Sequence, residues 1–143
     1  MNRSVLVVTN PHRPEIVEAT AAVERALAEA GIQVVHDPAQ AGSAEAAIVL
    51  GGDGTMLHAA HLTYGMNIPL LGVNLGRVGF LAELARDDAA AAVRHLATGE
   101  YATEERGTLE VKVTRADGSV ESGWALNEVT VERAERVRTI EVS

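Results

Sequence analysis

A short apolar run that ends in a glycine-rich turn constrains the fold of this chain more than any other feature. Ala47 to Leu50 predict a buried strand, and Gly51-Gly52-Asp53-Gly54-Thr55 follow it directly. A helical pattern then runs from about Thr55 to Tyr64, so the sequence predicts a strand, a turn and a helix in succession. Glycine lets backbone N–H groups approach an anion closely, and a helix N-terminus adds partial positive charge. The junction therefore predicts a phosphate site.

Asp53 is the unexpected residue in this turn, because a site for anions should repel a carboxylate. One interpretation is a base or metal ligand beside the phosphate, and the other is a helix N-cap. The flanking glycines favour the first, since a cap does not need them and each costs conformational entropy. The sequence contains neither Gly-x-x-x-x-Gly-Lys-[Ser/Thr] nor Gly-x-Gly-x-x-Gly, which excludes an ordinary P-loop and weakens a conventional dinucleotide-binding interpretation.

Strand and helix patterns alternate through residues 1–102. Strands are predicted at 4–9, 32–35, 47–50 and 68–73, helices from about Pro14 to Gly31, Thr55 to Tyr64 and Asp87 to Ala97, and a loop at 37–44. This alternation predicts a parallel sheet covered by helices, in which ligands bind at the carboxyl ends of the strands. The segments 51–55 and 74–79 both follow strands, so we expect them to converge at that edge.

A β-rich pattern replaces this alternation near Thr103. Strands are predicted at 109–114, 120–126, 129–132 and 137–142, with Ala116-Asp117-Gly118 as a hairpin turn. So few strands do not make a stable sheet domain. We therefore expect an α/β domain in residues 1–102 and the start of an incomplete all-β domain in 103–143, as the front part of a longer protein.

Composition excludes several classes of protein. The net charge of -8 argues against general nucleic-acid binding, which needs a positive field. The absence of cysteine excludes disulfides and thiolate metal sites. The apolar run near the N-terminus is too short for a signal peptide, and no segment is long enough to span a membrane. A cytoplasmic location is expected.

Two further motifs carry polar groups. Asn74-Leu75-Gly76-Arg77-Val78-Gly79-Phe80-Leu81 allows a tight turn after a strand, although Arg77, Phe80 and Leu81 are more typical of a structural loop. Asn127-Glu128 places an amide beside a carboxylate, which suits a sugar or base but also a polar turn. His58 and His61 are three residues apart on one helix and lack a third metal ligand, which favours surface histidines. Trp124 is expected in a core.

The three motifs together resemble the NAD kinase family in order and approximate spacing. The resemblance rests on Gly51–Thr55, on Asn74–Gly76 with Gly79–Leu81, and on Asn127–Val129, and it runs from Ser4 to Ser143. It covers only part of the family's fold, because the rest of the C-terminal β domain is missing. Diacylglycerol and sphingosine kinases and 6-phosphofructokinases carry similar glycine-aspartate loops, but the second and third motifs favour NAD kinase.

This resemblance implies transfer of the terminal phosphoryl group of ATP, or of polyphosphate, to the 2′-hydroxyl of the adenosine ribose of NAD. It implies that Asp53 is the general base, and that Mg²⁺ sits on the donor phosphates. The other binding residues that it implies are Gly52, Gly54 and Thr55 for the donor, Asn127 and Glu128 for NAD and its ribose, and His58 and Arg138 as further NAD contacts.

The resemblance also implies a homo-oligomer, a dimer or tetramer, in the complete protein. The family's later glycine-serine-threonine-alanine-tyrosine segment does not occur here, so we expect the 143-residue chain to be nearly inactive alone. The alternatives are a lipid or sugar kinase with the same loop, or a nucleotide-binding module without catalysis.

Overall fold

A computed structural model describes residues 3–76, 79–82 and 84–130 of the chain. The chain divides into two compact units at the boundary between Thr103 and Glu104. None of the described helices is both long and apolar enough to cross a membrane.

The first unit is a five-stranded parallel sheet with helices on both faces. The strands lie in the order β2-β1-β3-β4-β5, and every neighbouring pair is parallel. The predicted α/β class is therefore confirmed. The elements in chain order are β1 (Ser4–Thr9), α1 (Pro14–Glu29), β2 (Gln33–Val35), β3 (Ala46–Gly51), α2 (Asp53–Leu62), β4 (Leu70–Asn74), β5 (Leu84–Ala85) and α3 (Ala89–Thr98).

Two hydrophobic clusters cover the opposite faces of this sheet. Side chains alternate between the faces of a strand, so Val5 and Val7 of β1 join one cluster while Leu6 and Val8 join the other. Buried residues of α1 and α3 complete the first cluster, and Met56 of α2 belongs to the second. Because both faces are covered, the central strands are nearly continuous apolar runs.

Three local expectations differ from the structure. The predicted loop at 37–44 contains a 3₁₀ helix, Pro38–Ser43, whose first turn is capped by Asp37: its Oδ1 accepts from the Ala39 N–H at 2.9 Å. Helix α2 begins at Asp53, two residues before the predicted start. Strand β5 was not predicted, since two residues carry no periodicity; it forms by pairing with the end of β4.

The second unit contains an antiparallel hairpin of β6 (Leu109–Thr114) and β7 (Val120–Ala125). The turn is held by Asp117, whose Oδ1 accepts from the Ser119 hydroxyl at 2.6 Å and from its N–H at 2.9 Å. These two bonds lower the pKa of the Asp117 carboxyl below its ordinary value. Val129 and Thr130 do not form the predicted next strand; the rest of it, and the predicted strand at 137–142, lie outside the described residues.

Candidate active site at the carboxyl edge of the sheet

A cavity of about 290 Å³ opens where the loops after β1, β3 and β4 meet. Strand β1 lies between β2 and β3, so the chain leaves β1 toward one side of the sheet and leaves β3 toward the other. Such a reversal of strand order creates a crevice at the carboxyl ends, where ligands of open α/β sheets bind. The lining residues are Asn10, His12, Arg13, Ile16, Gly51, Gly52, Thr55, Leu75 and Gly76.

The glycine turn after β3 forms one wall of this cavity. A Cβ on Gly51 would lie 2.7 Å from the Thr55 Cβ and would overlap its hydroxyl, so only glycine lets α2 start this close to β3. Gly52 is the N-cap of α2, and the first intrahelical bond runs from the Met56 N–H to the Gly52 carbonyl at 3.0 Å. The preceding N–H groups have no partner within the helix and suit an anion.

Asp53 is the first residue of α2, and its carboxylate is held by the loop after β4. The N–H groups of Phe80 and Leu81 each donate to one of its oxygens, at 3.1 Å. The N-cap interpretation of Asp53 is therefore wrong, because Gly52 occupies that position and no side-chain cap bond forms. The two amides compensate the negative charge that seemed out of place beside an anion site. A carboxylate has about four acceptor positions, so two remain for a substrate hydroxyl.

The convergence of the loops after β3 and β4 follows from these contacts. Besides the two bonds to Asp53, the Leu75 N–H donates to the Gly51 carbonyl at 3.2 Å. Gly79 is needed for the approach, since a Cβ there would overlap Oδ1 of Asp53. Phe80 has 91% of its surface exposed, so this loop is held by its backbone rather than by that aromatic side chain.

The loop after β1 contributes residues that were not among the predicted site residues. Arg13 donates through Nη2 to the Leu75 carbonyl at 3.1 Å and pairs with Glu15 at 2.7 Å. Of the described residues that line the cavity, it alone carries a permanent charge. The available signal was position: polar and basic residues that directly follow a buried parallel strand lie at the edge where ligands bind.

The remaining candidate residues lie elsewhere. His58 is exposed on α2 and does not line the cavity, and His61 is exposed as well. Among the described residues, no group of three His, Asp, Glu or Cys side chains is placed to hold a metal ion. Asn127 and Glu128 are exposed after β7 in the second unit, and Arg138 lies outside the described residues. Trp124 is half-buried on β7.

Fold and site together define a doubly wound α/β protein with a cavity at its switch point and a carboxylate fixed one residue beyond the glycine wall of that cavity. Residues 35–101 match the ATP-NAD kinase N-terminal domain. The NAD kinase of Corynebacterium diphtheriae is 38% identical to the chain, over 94% of this chain and 50% of that protein. The NAD kinase of Leifsonia xyli is 55% identical over 68% of this chain and 32% of that protein. The chain belongs to the NAD kinase family.

Solved structures share the fold. Yeast NADH kinase complexed with NADH superposes with a TM-score of 0.74 at 19% identity, covering 88% of this chain and 44% of that one. An NAD kinase from Archaeoglobus fulgidus in complex with ATP gives 0.52 at 19% identity, over 78% of this chain and 41% of that one. The chain spans about half the length of the curated relatives it matches.

Proposed function

We propose that this chain supplies the phosphoryl-donor site and the general base of an NAD kinase. The reaction transfers the terminal phosphoryl group of ATP, or of polyphosphate, to the 2′-hydroxyl of the adenosine ribose of NAD and gives NADP. The observation that carries the proposal is the pairing of a cavity at the switch point with the fixed Asp53 carboxylate, one residue beyond its glycine wall. Membership of the NAD kinase family supports the choice of reaction.

In this proposal, the donor phosphates bind in the cavity against Gly52 and Thr55, which line it, and extend over Gly54 on the same turn. A Cβ on Gly52 or on Gly54 would meet nothing within 4 Å, so open space lies over this turn. The amides at the start of α2 and the Thr55 hydroxyl donate hydrogen bonds, and the helix dipole adds favourable charge. Positioning and electrostatic stabilisation supply most of the catalysis in phosphoryl transfer.

Asp53 then accepts the proton of the 2′-hydroxyl as that oxygen bonds to the terminal phosphorus and the bond to the leaving ADP oxygen breaks. The amides of Phe80 and Leu81 hold the carboxylate in place before the substrate arrives. Such preorganisation avoids the cost of ordering the base during the reaction.

Magnesium fits this site as an ion carried by the donor. Mg²⁺ is usually held by one or two carboxylates together with substrate phosphates, rather than by a cage made only of protein groups. The site offers the carboxylate of Asp53, and no three-residue ligand cluster occurs among the described residues. When bound, the ion would neutralise charge on the phosphates.

The proposal assigns the acceptor to residues beyond the cavity. Asn127 and Glu128 would hold NAD and its ribose, with His58 and Arg138 as further contacts, and each of these assignments comes from the family resemblance. A homo-oligomeric assembly is proposed on the same ground, and the cytoplasmic location expected in the sequence analysis is kept as a proposal.

The direct test offers three acceptors in parallel. The chain is combined with the part of the Corynebacterium diphtheriae relative that it does not span and is given Mg-ATP with NAD, diacylglycerol or fructose 6-phosphate. The proposal expects NADP alone, measured in a coupled assay. Transfer to the lipid or the sugar with NAD untouched would establish the alternative kinase, and nucleotide binding without transfer would establish a non-catalytic module.

An Asp53→Asn variant then tests the base. Its shape is nearly unchanged, so calorimetric NAD affinity is expected to stay the same while turnover falls by about 10²–10⁴-fold. Equal turnover in the variant and the parent would remove Asp53 from the chemistry.

A further inference from the structure

Arg13 is the charged group in the cavity to which the proposed reaction assigns no role. It is the N-cap residue of α1, yet its side chain makes no cap hydrogen bond. Its Nη2 instead bonds to the Leu75 carbonyl and to the Glu15 carboxylate. A Cβ built on Gly76 would lie 3.8 Å from its Nη1, so the guanidinium lies against the loop after β4.

We propose that Arg13 binds the donor phosphates in this cavity and that Glu15 competes with them for its guanidinium. The pair would then set the affinity for the phosphoryl donor. This inference rests on the proposed function, because it assumes that the cavity holds a phosphate chain.

The chemistry of the pair supports an exchange of partners. Guanidinium presents five donors in a planar fork that matches carboxylate and phosphate equally well. The Arg13 side chain is 51% exposed, so it has room to turn from one anion to another. Glu15 is ionised at neutral pH; its own backbone N–H and the Arg13 charge hold the pKa of this carboxyl below its ordinary value. An incoming phosphate therefore meets a cation that is already occupied by a charged competitor.

A purely structural role for Arg13 makes a different prediction. In that case the guanidinium only ties the loop after β1 to the loop after β4, and Glu15 holds it in position. Loss of either residue would then loosen the cavity and weaken donor binding. Competition predicts opposite signs, since Arg13→Gln removes a phosphate contact whereas Glu15→Gln frees one.

A matched control pair lies at the amino ends of β1 and β3, the opposite edge of the sheet from the cavity. Arg3 bonds to Glu45 at 2.6 Å and, like Arg13, also donates to backbone carbonyls, and neither residue lines the cavity. Arg3→Gln and Glu45→Gln therefore make the same changes in charge and ion pairing without touching the proposed site. Both are expected to leave donor affinity within about twofold of the parent.

The test is calorimetric titration of the 143-residue chain with Mg-ATP, inorganic tripolyphosphate and adenosine. Arg13→Gln is expected to weaken binding of both phosphate compounds by about ten- to hundredfold and to leave adenosine unchanged. Arg13→Lys should fall between, because it keeps the charge and loses the fork. Glu15→Gln should tighten phosphate binding by about two- to fivefold.

Equal losses in the Arg13 and Glu15 variants, or an Arg13→Lys chain that binds like the parent, would overturn the inference. Circular dichroism identifies any variant that does not fold, and Arg13→Lys then decides alone. Donor binding with the expected opposite signs, together with no NADP formation by the combined chain described under Proposed function, would uphold the inference and reject the acceptor assignment. A parent chain that binds neither phosphate compound would reject the cavity as a donor site and overturn both.

Discussion

Gly79→Ala tests how the carboxylate of Asp53 is held in place. Gly79 immediately precedes the two residues whose amides bind that carboxylate. A Cβ at this position would overlap Oδ1 and would lie 2.9 Å from Cγ. The carboxylate has solvent to move into, so we expect it to shift and its two 3.1 Å bonds to lengthen.

The size of the effect follows from those bonds. A hydrogen bond to a charged group contributes about 1.5–3 kcal/mol, and we take the lower value because Asp53 is only half-buried. If the free energy of local opening falls by about 1.4 kcal/mol, hydrogen exchange at the Phe80 and Leu81 amides becomes about tenfold faster. The free energy of unfolding should fall by no more than about 1 kcal/mol.

Amide exchange measured by NMR, together with thermal unfolding, checks this prediction. Gly42→Ala is the matched control: that glycine is exposed, and an added Cβ would meet nothing within 4 Å. Under the proposed role of Asp53, displacing its carboxylate should also lower turnover of an active form by about 10²-fold. Unchanged exchange at both amides in the Gly79 variant would refute the claim that this glycine positions the carboxylate.

Three further outcomes are expected elsewhere in the molecule. Gly72→Ala should lower the free energy of unfolding by about 1–3 kcal/mol in urea titrations, because its Cβ would lie 2.9 Å from the backbone Cα of Ala82. Asp117 has a lowered pKa in the folded hairpin. Its contribution to stability is therefore present above the ordinary carboxyl pKa and is lost as the pH falls through the lowered pKa. In Ser119→Ala, NMR titration should show that the Asp117 pKa rises. Arg3→Ala removes a guanidinium that donates to carbonyls in the last turn of α3 at 2.6 and 2.8 Å. The free energy of unfolding should therefore fall by about 1 kcal/mol.

Periodic segments of the sequence predicted the sheet and its helices well. Strands β1 and β3 are apolar runs, β6 alternates apolar with charged residues, and α1 carries Ile16, Val23 and Leu27 on its buried face. Strand β5 escaped prediction because two residues carry no pattern and their strand geometry depends on β4. Tertiary pairing of that kind is invisible to local sequence.

For the site, the sequence predicted only which loops lie at the carboxyl edge of the sheet. That assignment brought the glycine turn and the loop after β4 together, as their hydrogen bonds confirm. It did not reveal that the backbone amides of residues 80 and 81 hold Asp53, because the sequence does not show which backbone N–H groups donate to a side chain. Arg13 was overlooked for a related reason: its contacts join the loops after β1 and β4 across 62 residues of chain.

An NMR titration of the labelled 143-residue chain with Mg-ATP tests the central claim that the cavity at the switch point holds the phosphoryl donor. The account predicts saturable shifts concentrated at the cavity, with the largest at Gly52, Gly54, Thr55 and Gly76, and reproduced by inorganic tripolyphosphate. Saturable shifts that leave the glycine turn unmoved, or no saturation in a folded chain, would contradict it.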